Sequence, residues 1–322
     1  MVVLGNSMAY GPSDPRMAWP RLLSLEMGRS VYNMALPGYG PGQNLMQLDE
    51  ALALAPSLVI VSPYFGYDFF GSYALALRHP ELTSAMPSAL RVAASARQRQ
   101  RPLATDLQSS VEPGAVALSA HSGWRRYLSD HVKLYGLLRA VRYGFAEPPP
   151  TPALSGRYAE AVAGLTPALR RLALPVEAGA WRTILTPAYR DHLLDDQDPR
   201  IRLGFEIALR AVRVMSERCR AAGVALLVVL IPTKESVFWP RVKTSDRDPD
   251  LASLIAHEQR LRTEWHDDLA AAGVRYVDVL DVLREAKAQP YYENIDGHPN
   301  ELGHQLIAAA VAARLGNATR HE

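Results

Sequence analysis

The chain has 322 residues, and 48% of them are hydrophobic, so it can bury a full core and is not intrinsically disordered. Lys and Arg total 35 against 33 Asp and Glu, which leaves a formal net charge of +2. This balance excludes a strong attraction to nucleic acid or to an acidic membrane. The single Cys219 excludes an intrachain disulfide, and we expect it to be chemically inert.

The expected cellular compartment depends on membrane spans and signal segments. No apolar run reaches the length of a membrane span, and no signal segment precedes the fold, so we expect a soluble protein, cytoplasmic by default. The first core strand already begins at Val2. An additional upstream segment carrying a signal or anchor would instead place the protein in the cell envelope or periplasm.

The first part of the chain alternates strand and helix patterns. Short β-branched runs predict strands, and apolar residues at helical spacing predict the helices between them. The predicted elements are a strand at residues 2–4, a helix at 16–27, a strand at 31–33, a helix at 43–54 and a strand at 58–61.

The same alternation resumes near the middle of the chain. It predicts a helix at residues 199–222, a strand at 224–231, a helix ending at Gly273, a strand at 274–277 and a last helix at 300–315. Strands that alternate with helices indicate a parallel sheet. We therefore predict a three-layer α/β/α sandwich with a flavodoxin-like parallel five-stranded sheet, whose ligands bind at the carboxyl ends of the strands.

The segment between these two parts fits no such alternation. We predict a core domain of residues 1–77 and 199–322, with residues 78–198 as a large, mostly helical insertion or cap. Within it, residues 121–143 have the pattern of an amphipathic helix, which we expect to pack on the core rather than on a membrane. The proline-rich stretch at 147–152 predicts an exposed connector.

Three residues at the two ends of the chain suggest one active site. Ser7 follows the first strand, where its hydroxyl would be exposed, and Asp296 and His298 supply an acid and a base. Such a trio performs nucleophilic catalysis: His298 would remove the Ser7 proton, and Asp296 would orient the imidazole. The alternative is structural, with Ser7 and Asp296 serving as helix caps.

These residues resemble the sequence blocks of the SGNH, or GDSL-like, hydrolases. Four segments carry the resemblance, over residues 1–72 and 199–315: Gly5-Asn6-Ser7, Asn33-Met34-Ala35-Leu36-Pro37-Gly38, Gly66-Tyr67-Asp68 and Asp296-Gly297-His298. The resemblance implies the fold predicted above, with Ser7 as the nucleophile. It also implies that the amides of Ser7 and Gly38 hold the oxyanion, with position 67 adding a third donor.

The chain departs from the family pattern at several positions. Asn6 stands where the family has Asp, which should alter the turn more than the chemistry. Tyr67 stands where the family has an oxyanion Asn, so either its phenol substitutes, another donor is recruited, or the enzyme is slow. One residue separates Asp296 from His298 where hydrolases commonly have two, a spacing that is seen in related acyltransferases. Glu293 is the alternative acid.

A weaker resemblance concerns loops near the predicted site. Pro232-Thr233-Lys234-Glu235, residues 185–190 and residues 198–200 are similar to family members with envelope and exopolysaccharide functions, including alginate acetylation proteins. Lys234 follows a core strand, so it either binds substrate or is an ordinary surface lysine.

Other functional classes find little support. Gln43 and Pro41 break the glycine pattern of a dinucleotide loop at residues 38–43, and His298 and His304 lack the spacing of a metal pair on one helix. We therefore expect no cofactor, no metal and no nucleic-acid partner.

The sequence thus predicts a serine ester hydrolase that acts on a small-molecule or carbohydrate acyl ester through an acyl-Ser7 intermediate. One alternative is an O-acetyltransferase that modifies an envelope polysaccharide. Another is a catalytically weak protein that binds glycans. The oligomeric state does not follow from the sequence.

Overall fold

A computed structural model describes residues 1–11, 15–100 and 157–318. Its centre is a parallel five-stranded sheet with the strand order β2-β1-β3-β6-β7. This is the predicted flavodoxin-like order, in which the first strand lies inside the sheet. The predicted fold class is therefore confirmed. The strands are β1 Val2–Gly5, β2 Tyr32–Asn33, β3 Leu58–Ser62, β4 Leu174–Ala178, β5 Trp181–Leu185, β6 Ala225–Leu230 and β7 Arg275–Asp278.

The helices connect the strands and cover the sheet. They are α1 Ser7–Tyr10, α2 Trp19–Met27, α3 Pro41–Met46, α4 Leu48–Ala53, α5 Asp68–Ala76, α6 Ser88–Gln100, α7 Tyr158–Ala163, α8 Pro167–Arg170, α9 Pro187–Leu194, α10 Pro199–Ala221, α11 Lys234–Phe238, α12 Pro249–Ala271, α13 Leu280–Arg284 and α14 Glu301–Ala318. Short 3₁₀ turns occur at Pro15–Met17, Pro80–Thr83, Trp239–Arg241 and Thr244–Asp246.

The two longest helices begin at the same local signal. Asp198 accepts a hydrogen bond from the Arg200 N–H at the start of α10, and Asp248 accepts one from the Leu251 N–H at the start of α12. Each Asp is followed by a proline at the first helical position, where the missing N–H costs nothing. These starts are therefore encoded locally, which is why α10 begins at the predicted residue.

The helices form layers on the two faces of the sheet. On one face α2 packs against α14, and the Trp19 N–H donates to His304 Nδ1 between them. On the other face α5, α10 and α12 meet through a cluster of edge-to-face and tilted aromatic rings: Phe65, Phe69, Phe205 and Trp265. All four rings are fully buried, so this cluster is a centre of the apolar core.

The described part of residues 78–198 contains helices α6 to α9 and an antiparallel hairpin, β4 with β5. The hairpin was not predicted from the sequence. Trp181 and Ile184 on β5 are buried in the same core as the parallel sheet, so β5 is an integral part of the fold. The predicted amphipathic helix at 121–143 and the connector at 147–152 lie outside the described residues. The proposed domain boundaries stay a prediction.

Two further observations concern the helices. Cys219 is buried in α10, and burial raises the pKa of its thiol, which favours the inert interpretation. Within the described ranges, no helix combines the length and the apolar character that crossing a bilayer requires.

The contact between α5 and α10 depends on a glycine. A Cβ added at Gly204 would lie 1.9 Å from the Phe69 carbonyl oxygen, which is backbone and cannot move aside. We predict that Gly204→Ala lowers the free energy of unfolding by about 3 kcal/mol, as overpacking of a core typically does. Gly316→Ala is the matched control, because that helical glycine faces open space. Equal denaturation midpoints for the two variants would contradict the prediction.

Candidate active site

The structure brings Ser7, His298 and Asp296 together at the carboxyl end of the sheet. His298 Nε2 lies 2.7 Å from Ser7 Oγ, and His298 Nδ1 lies 2.5 Å from Asp296 Oδ1. Asp296 Oδ1 also accepts a hydrogen bond of 2.9 Å from the His298 backbone N–H. The arrangement is that of a nucleophile, a base and an orienting acid.

Neither Ser7 nor Asp296 caps a helix. Asn6 is the N-cap of α1, and its Oδ1 accepts from the Met8 N–H at 2.9 Å. Asn300 precedes α14, and its Oδ1 accepts from the Gly303 N–H at 3.0 Å. The structural alternative considered for these two residues is therefore excluded, and both side chains face His298.

The electrostatics of the pair favour an ionised Asp296. Burial by itself raises the pKa of this carboxyl, but the charge and hydrogen bonds of His298 and the charge of Lys234 outweigh it and lower the pKa to about 2. Asp296 is consequently a carboxylate over the whole neutral range, so it can orient the imidazole and stabilise its protonated form.

The loop that carries Asp296 and His298 is held by its own polar side chains. Asn294 Oδ1 accepts from the Asp296 N–H at 2.8 Å. Asn300 Nδ2 donates to the carbonyls of Gln289 and Tyr291, which closes the loop at its base. A loop closed in this way presents its side chains with little freedom, which catalysis requires.

A buried carboxyl supports the turn before Ser7. The Asn6 side chain donates from Nδ2 to both oxygens of Asp68, at 3.0 and 3.1 Å, and Asp68 Oδ2 also accepts from the Tyr64 N–H at 2.9 Å. Asp68 is 1% exposed, and burial raises its pKa to about 8 although these hydrogen bonds oppose the rise. The contact connects the first and third sequence blocks.

This contact also explains why Asn6 replaces the family's Asp. An Asp at position 6 would place a second carboxyl group against Asp68, whereas the Asn6 amide supplies N–H donors to both Asp68 oxygens. The sequence interpretation anticipated only the bond from Asn6 to the backbone. The bond to Asp68 was missed because the two residues are 62 positions apart in the chain.

The loop with Gly38 lies beside the Ser7 turn. The Leu36 N–H donates to the Gly5 carbonyl at 3.1 Å, and Asn33 Nδ2 donates to the Ala9 carbonyl at 2.9 Å. Gly38 has a φ of +79°, a conformation that L side chains rarely adopt, while the space around it is open. The backbone turn, rather than close packing, therefore requires a glycine here.

Tyr67 and Glu293 have different surroundings. The Tyr67 ring is half-buried and packs at 5.6 Å from the Phe70 ring at the start of α5. Its part in holding an oxyanion stays a prediction. Glu293 lines a surface cleft with Tyr158 and Arg182, whereas Asp296 contacts His298, so the alternative acid is not needed.

The suggestion that Lys234 binds substrate is corrected by the structure. Lys234 is 1% exposed, and its Nζ donates to three backbone carbonyls, those of Ile184, Asn294 and Asp296. An ammonium has three N–H donors, so none is left for a ligand. The loop after β6 turns into helix α11, all five of whose residues are buried, and this inward turn carries no local sequence signal.

Arg190 is a further residue that the sequence did not reveal as part of the site. It is 2% exposed, and its Nη1 donates to the Gly66 carbonyl at 3.1 Å. A Cβ added at Gly297 would lie 2.8 Å from Arg190 Nη2, so a glycine between Asp296 and His298 leaves room for this guanidinium. Arg190 therefore lies behind the loop that carries Asp296 and His298, the acid–base loop.

One group of side chains in the described residues has the composition of a metal site. His257 Nε2 lies 3.8 Å from Asp195 Oδ1 and 3.7 Å from Asp196 Oδ1. Arg260 donates to both oxygens of Asp196 at 2.8 Å and already neutralises that carboxylate. We assign no metal to this group.

Comparison with known proteins connects this geometry to a family. Residues 189–322 match the family model described as SGNH hydrolase-like domain, acetyltransferase AlgX. The matched segment includes Asp296 and His298 but not Ser7. The resemblance to SGNH proteins, and to the branch with acetylation functions, is thereby confirmed. None of the curated proteins matches the chain significantly.

Several solved structures are similar in overall outline at low identity. A protein described as lipolytic, of the G-D-S-L family, from Desulfitobacterium hafniense is 11% identical, with a TM-score of 0.43 over 97% of each chain. A GDSL-like lipase from Bacteroides thetaiotaomicron is 11% identical, with a TM-score of 0.42 over 98% of this chain and 87% of that one. A catalytic mutant of an acetylxylan esterase from Geobacillus stearothermophilus is 10% identical, with a TM-score of 0.42 over 98% and 93%.

The buried Asp68 makes a testable contribution to pH-dependent stability. An ordinary Asp carboxyl has a pKa of 3.8, and Asp68 in the fold has a pKa of about 8. Between these pH values the folded protein therefore binds more protons than the unfolded protein. Stability contributed by the neutral carboxyl is present below about pH 4 and is lost as the pH rises through 8. We predict that Asp68→Asn removes this decline, worth on the order of a few kcal/mol.

Urea unfolding of the parent and of Asp68→Asn at pH 5 and pH 9 measures this difference. The exposed Asp281→Asn is the control, and it should follow the parent at both pH values. A parent that is equally stable at pH 5 and pH 9 would show that Asp68 does not titrate as stated.

Proposed function

We propose, with the match to the SGNH hydrolase-like domain as the premise, that this chain is a serine ester hydrolase that acts on carbohydrate or small-molecule acyl esters. The observation that carries the proposal is the continuous hydrogen-bonded chain from Ser7 Oγ through His298 to Asp296, with distances of 2.7 and 2.5 Å. This is the hydrogen-bonded arrangement that nucleophilic catalysis by a serine requires.

The first half-reaction forms an acyl-enzyme. Ser7 Oγ attacks the ester carbonyl carbon while His298 Nε2 takes the hydroxyl proton. The carbonyl oxygen becomes an oxyanion, and as the C–O bond to the alcohol breaks, His298 returns the proton to the leaving alcohol. Asp296, ionised at neutral pH because its pKa is about 2, stabilises the imidazolium between these two transfers.

The backbone amides of Ser7 and Gly38 are proposed to hold the oxyanion. The Ser7 N–H is at the start of α1 and has no acceptor within the helix. The Gly38 loop is hydrogen-bonded to the end of β1 through Leu36, which keeps it beside the nucleophile. Tyr67 is the third candidate donor, and loss of one such donor from a site costs about 2.7 to 4 kcal/mol of transition-state stabilisation.

In the second half-reaction an acceptor releases the acyl group. In a hydrolase, water that is deprotonated by His298 attacks the acyl carbon, the bond to Ser7 Oγ breaks, and His298 returns the proton to Ser7 as the free acid leaves. A sugar hydroxyl in the same place gives O-acetylated carbohydrate instead. This second candidate function is favoured by the family match, whose description names an acetyltransferase, and by the one-residue spacing between Asp296 and His298.

The first test concerns the acyl-serine mechanism. We predict that the purified parent hydrolyses para-nitrophenyl acetate and forms one adduct with a serine-directed fluorophosphonate, detected by intact mass. Ser7→Ala and His298→Ala should lose roughly 10⁴- to 10⁶-fold in kcat, because the members of a triad act as a unit. His79→Ala, which changes an exposed histidine, is the matched control and should retain parent activity.

A parent with neither turnover nor adduct would overturn the proposal. The interpretation as a glycan-binding protein without catalytic activity would then take precedence, and glycan binding by the parent and by Ser7→Ala would be equal.

The second test separates water from a sugar as the acceptor. For a hydrolase we predict one free acetate for each nitrophenol released, unchanged when oligosaccharides are added. An acetate deficit matched by acetylated oligosaccharide in the mass spectrum would contradict the hydrolase and establish the transferase.

A further inference from the structure

We infer that Lys234 is a positioning residue of the active site: its buried ammonium holds the backbone of the loop that carries Asp296 and His298. The inference rests on the proposed function, because it assigns Lys234 a part in the same acyl transfer. Lys234 touches none of the triad side chains and acts through the backbone.

Every N–H of the Lys234 ammonium has a hydrogen-bond acceptor. Lys234 Nζ donates to the carbonyls of Ile184, Asn294 and Asp296 at 2.9, 2.9 and 2.8 Å. Three donors meet three acceptors, so the ammonium is saturated. Two of the acceptors belong to the acid–base loop and one belongs to the end of β5. The contact therefore attaches the loop to the hairpin.

Asp296 is held at two points as a result. Its carbonyl accepts from Lys234, and its carboxylate accepts from the His298 ring and backbone. A fixed carbonyl restrains rotation of the Asp296–Gly297 peptide plane and so limits movement of the backbone that carries the carboxylate. Catalysis is sensitive to such placement, since an error of about 1 Å can cost about 10²-fold in rate.

The ammonium also acts through its charge. Its positive charge contributes to lowering the pKa of Asp296 and so helps to keep this half-buried carboxylate ionised. The charged groups that influence Lys234 in turn are Glu235, Asp296 and Arg190. Burial lowers the pKa of Lys234 to about 8 in spite of the two carboxylates. An isolated buried ammonium is unfavourable, so apolar packing alone does not account for a lysine here.

Lys234 is itself held from both sides. Glu258 accepts from the Thr233 N–H at 3.2 Å and from Ser236 Oγ at 2.7 Å, which fixes the first turn of α11. Glu235 Oε1 accepts from the Thr186 N–H at 2.9 Å, next to the Ile184 carbonyl that Lys234 binds. The ammonium is thus presented by a rigid support, as a positioning group requires.

The test compares Lys234→Met with the matched control Lys243→Met, which makes the same change at an exposed lysine. For para-nitrophenyl acetate we expect kcat of Lys234→Met to fall about 10²-fold with KM within about threefold, because the loop is misplaced while ester binding persists. Lys243→Met should match the parent. A kcat for Lys234→Met within twofold of the parent would overturn the inference.

A second readout does not depend on turnover. The short hydrogen bond between His298 Nδ1 and Asp296 should give a far-downfield proton resonance in the parent, in Ser7→Ala and in Lys243→Met. We expect Lys234→Met to lose this resonance, and its persistence there would overturn the inference. If the parent is inactive, the proposed function fails. The resonance still tests whether Lys234 positions the acid–base loop.

Folding is checked by thermal melting before either comparison. If Lys234→Met does not fold, Lys234→Gln takes its place, because the uncharged Gln amide keeps two N–H donors, on a side chain one atom shorter that also carries a carbonyl oxygen. Loss of the resonance in this folded variant supports the inference, and parent-like kcat and resonance overturn it.

Discussion

The hydrogen bond between Ser7 and His298 joins the two ends of the chain, 291 positions apart, and the site exists only because the sheet brings these ends together. β1 lies inside the sheet, between β2 and β3, so Ser7 emerges at the middle of the carboxyl edge. The loop before α14 returns to the same edge. Everything that fixes either end, including Asn6 on one side and Asn300 on the other, supports this one contact.

Buried ionisable side chains are the second feature that organises the site. Asp68 lies under the Ser7 turn, Lys234 and Arg190 lie behind the acid–base loop, and all three are at most 2% exposed. Asp68 accepts from a neutral amide and a backbone N–H, and Lys234 and Arg190 donate to backbone carbonyls. Such groups reduce stability compared with an apolar core, but they are directional and hold loops in one arrangement.

The hairpin and α9 show how elements outside the parallel sheet take part in the site. Strand β5 is bonded to the acid–base loop through the Ile184 N–H, which donates to the Asn294 carbonyl at 3.2 Å, and through Lys234. Arg190 comes from α9, directly after the hairpin. Residues outside the parallel sheet therefore supply the support on which His298 and Asp296 rest.

The sequence by itself determined the strands and helices of the sheet, because their signals are local. Runs such as residues 225–230 are apolar throughout, and Asp198 and Asp248 cap helices that a proline begins. The sequence also identified Ser7, Asp296 and His298, because residue types in family-like segments can be recognised without knowledge of their contacts. The parallel direction of the strands followed from the alternation of strand and helix.

The tertiary structure alone decided how these parts meet. The bond from Asn6 to Asp68, the inward turn of Lys234 and the position of Arg190 behind Gly297 each join residues at least 50 positions apart. Local pattern carries no information on such contacts, because a strand-end lysine looks the same in sequence whether it faces water or three carbonyls. Burial and hydrogen-bond partners are properties of the packed chain. They make Lys234 a support of the loop with Asp296 and His298 and not a substrate-binding residue.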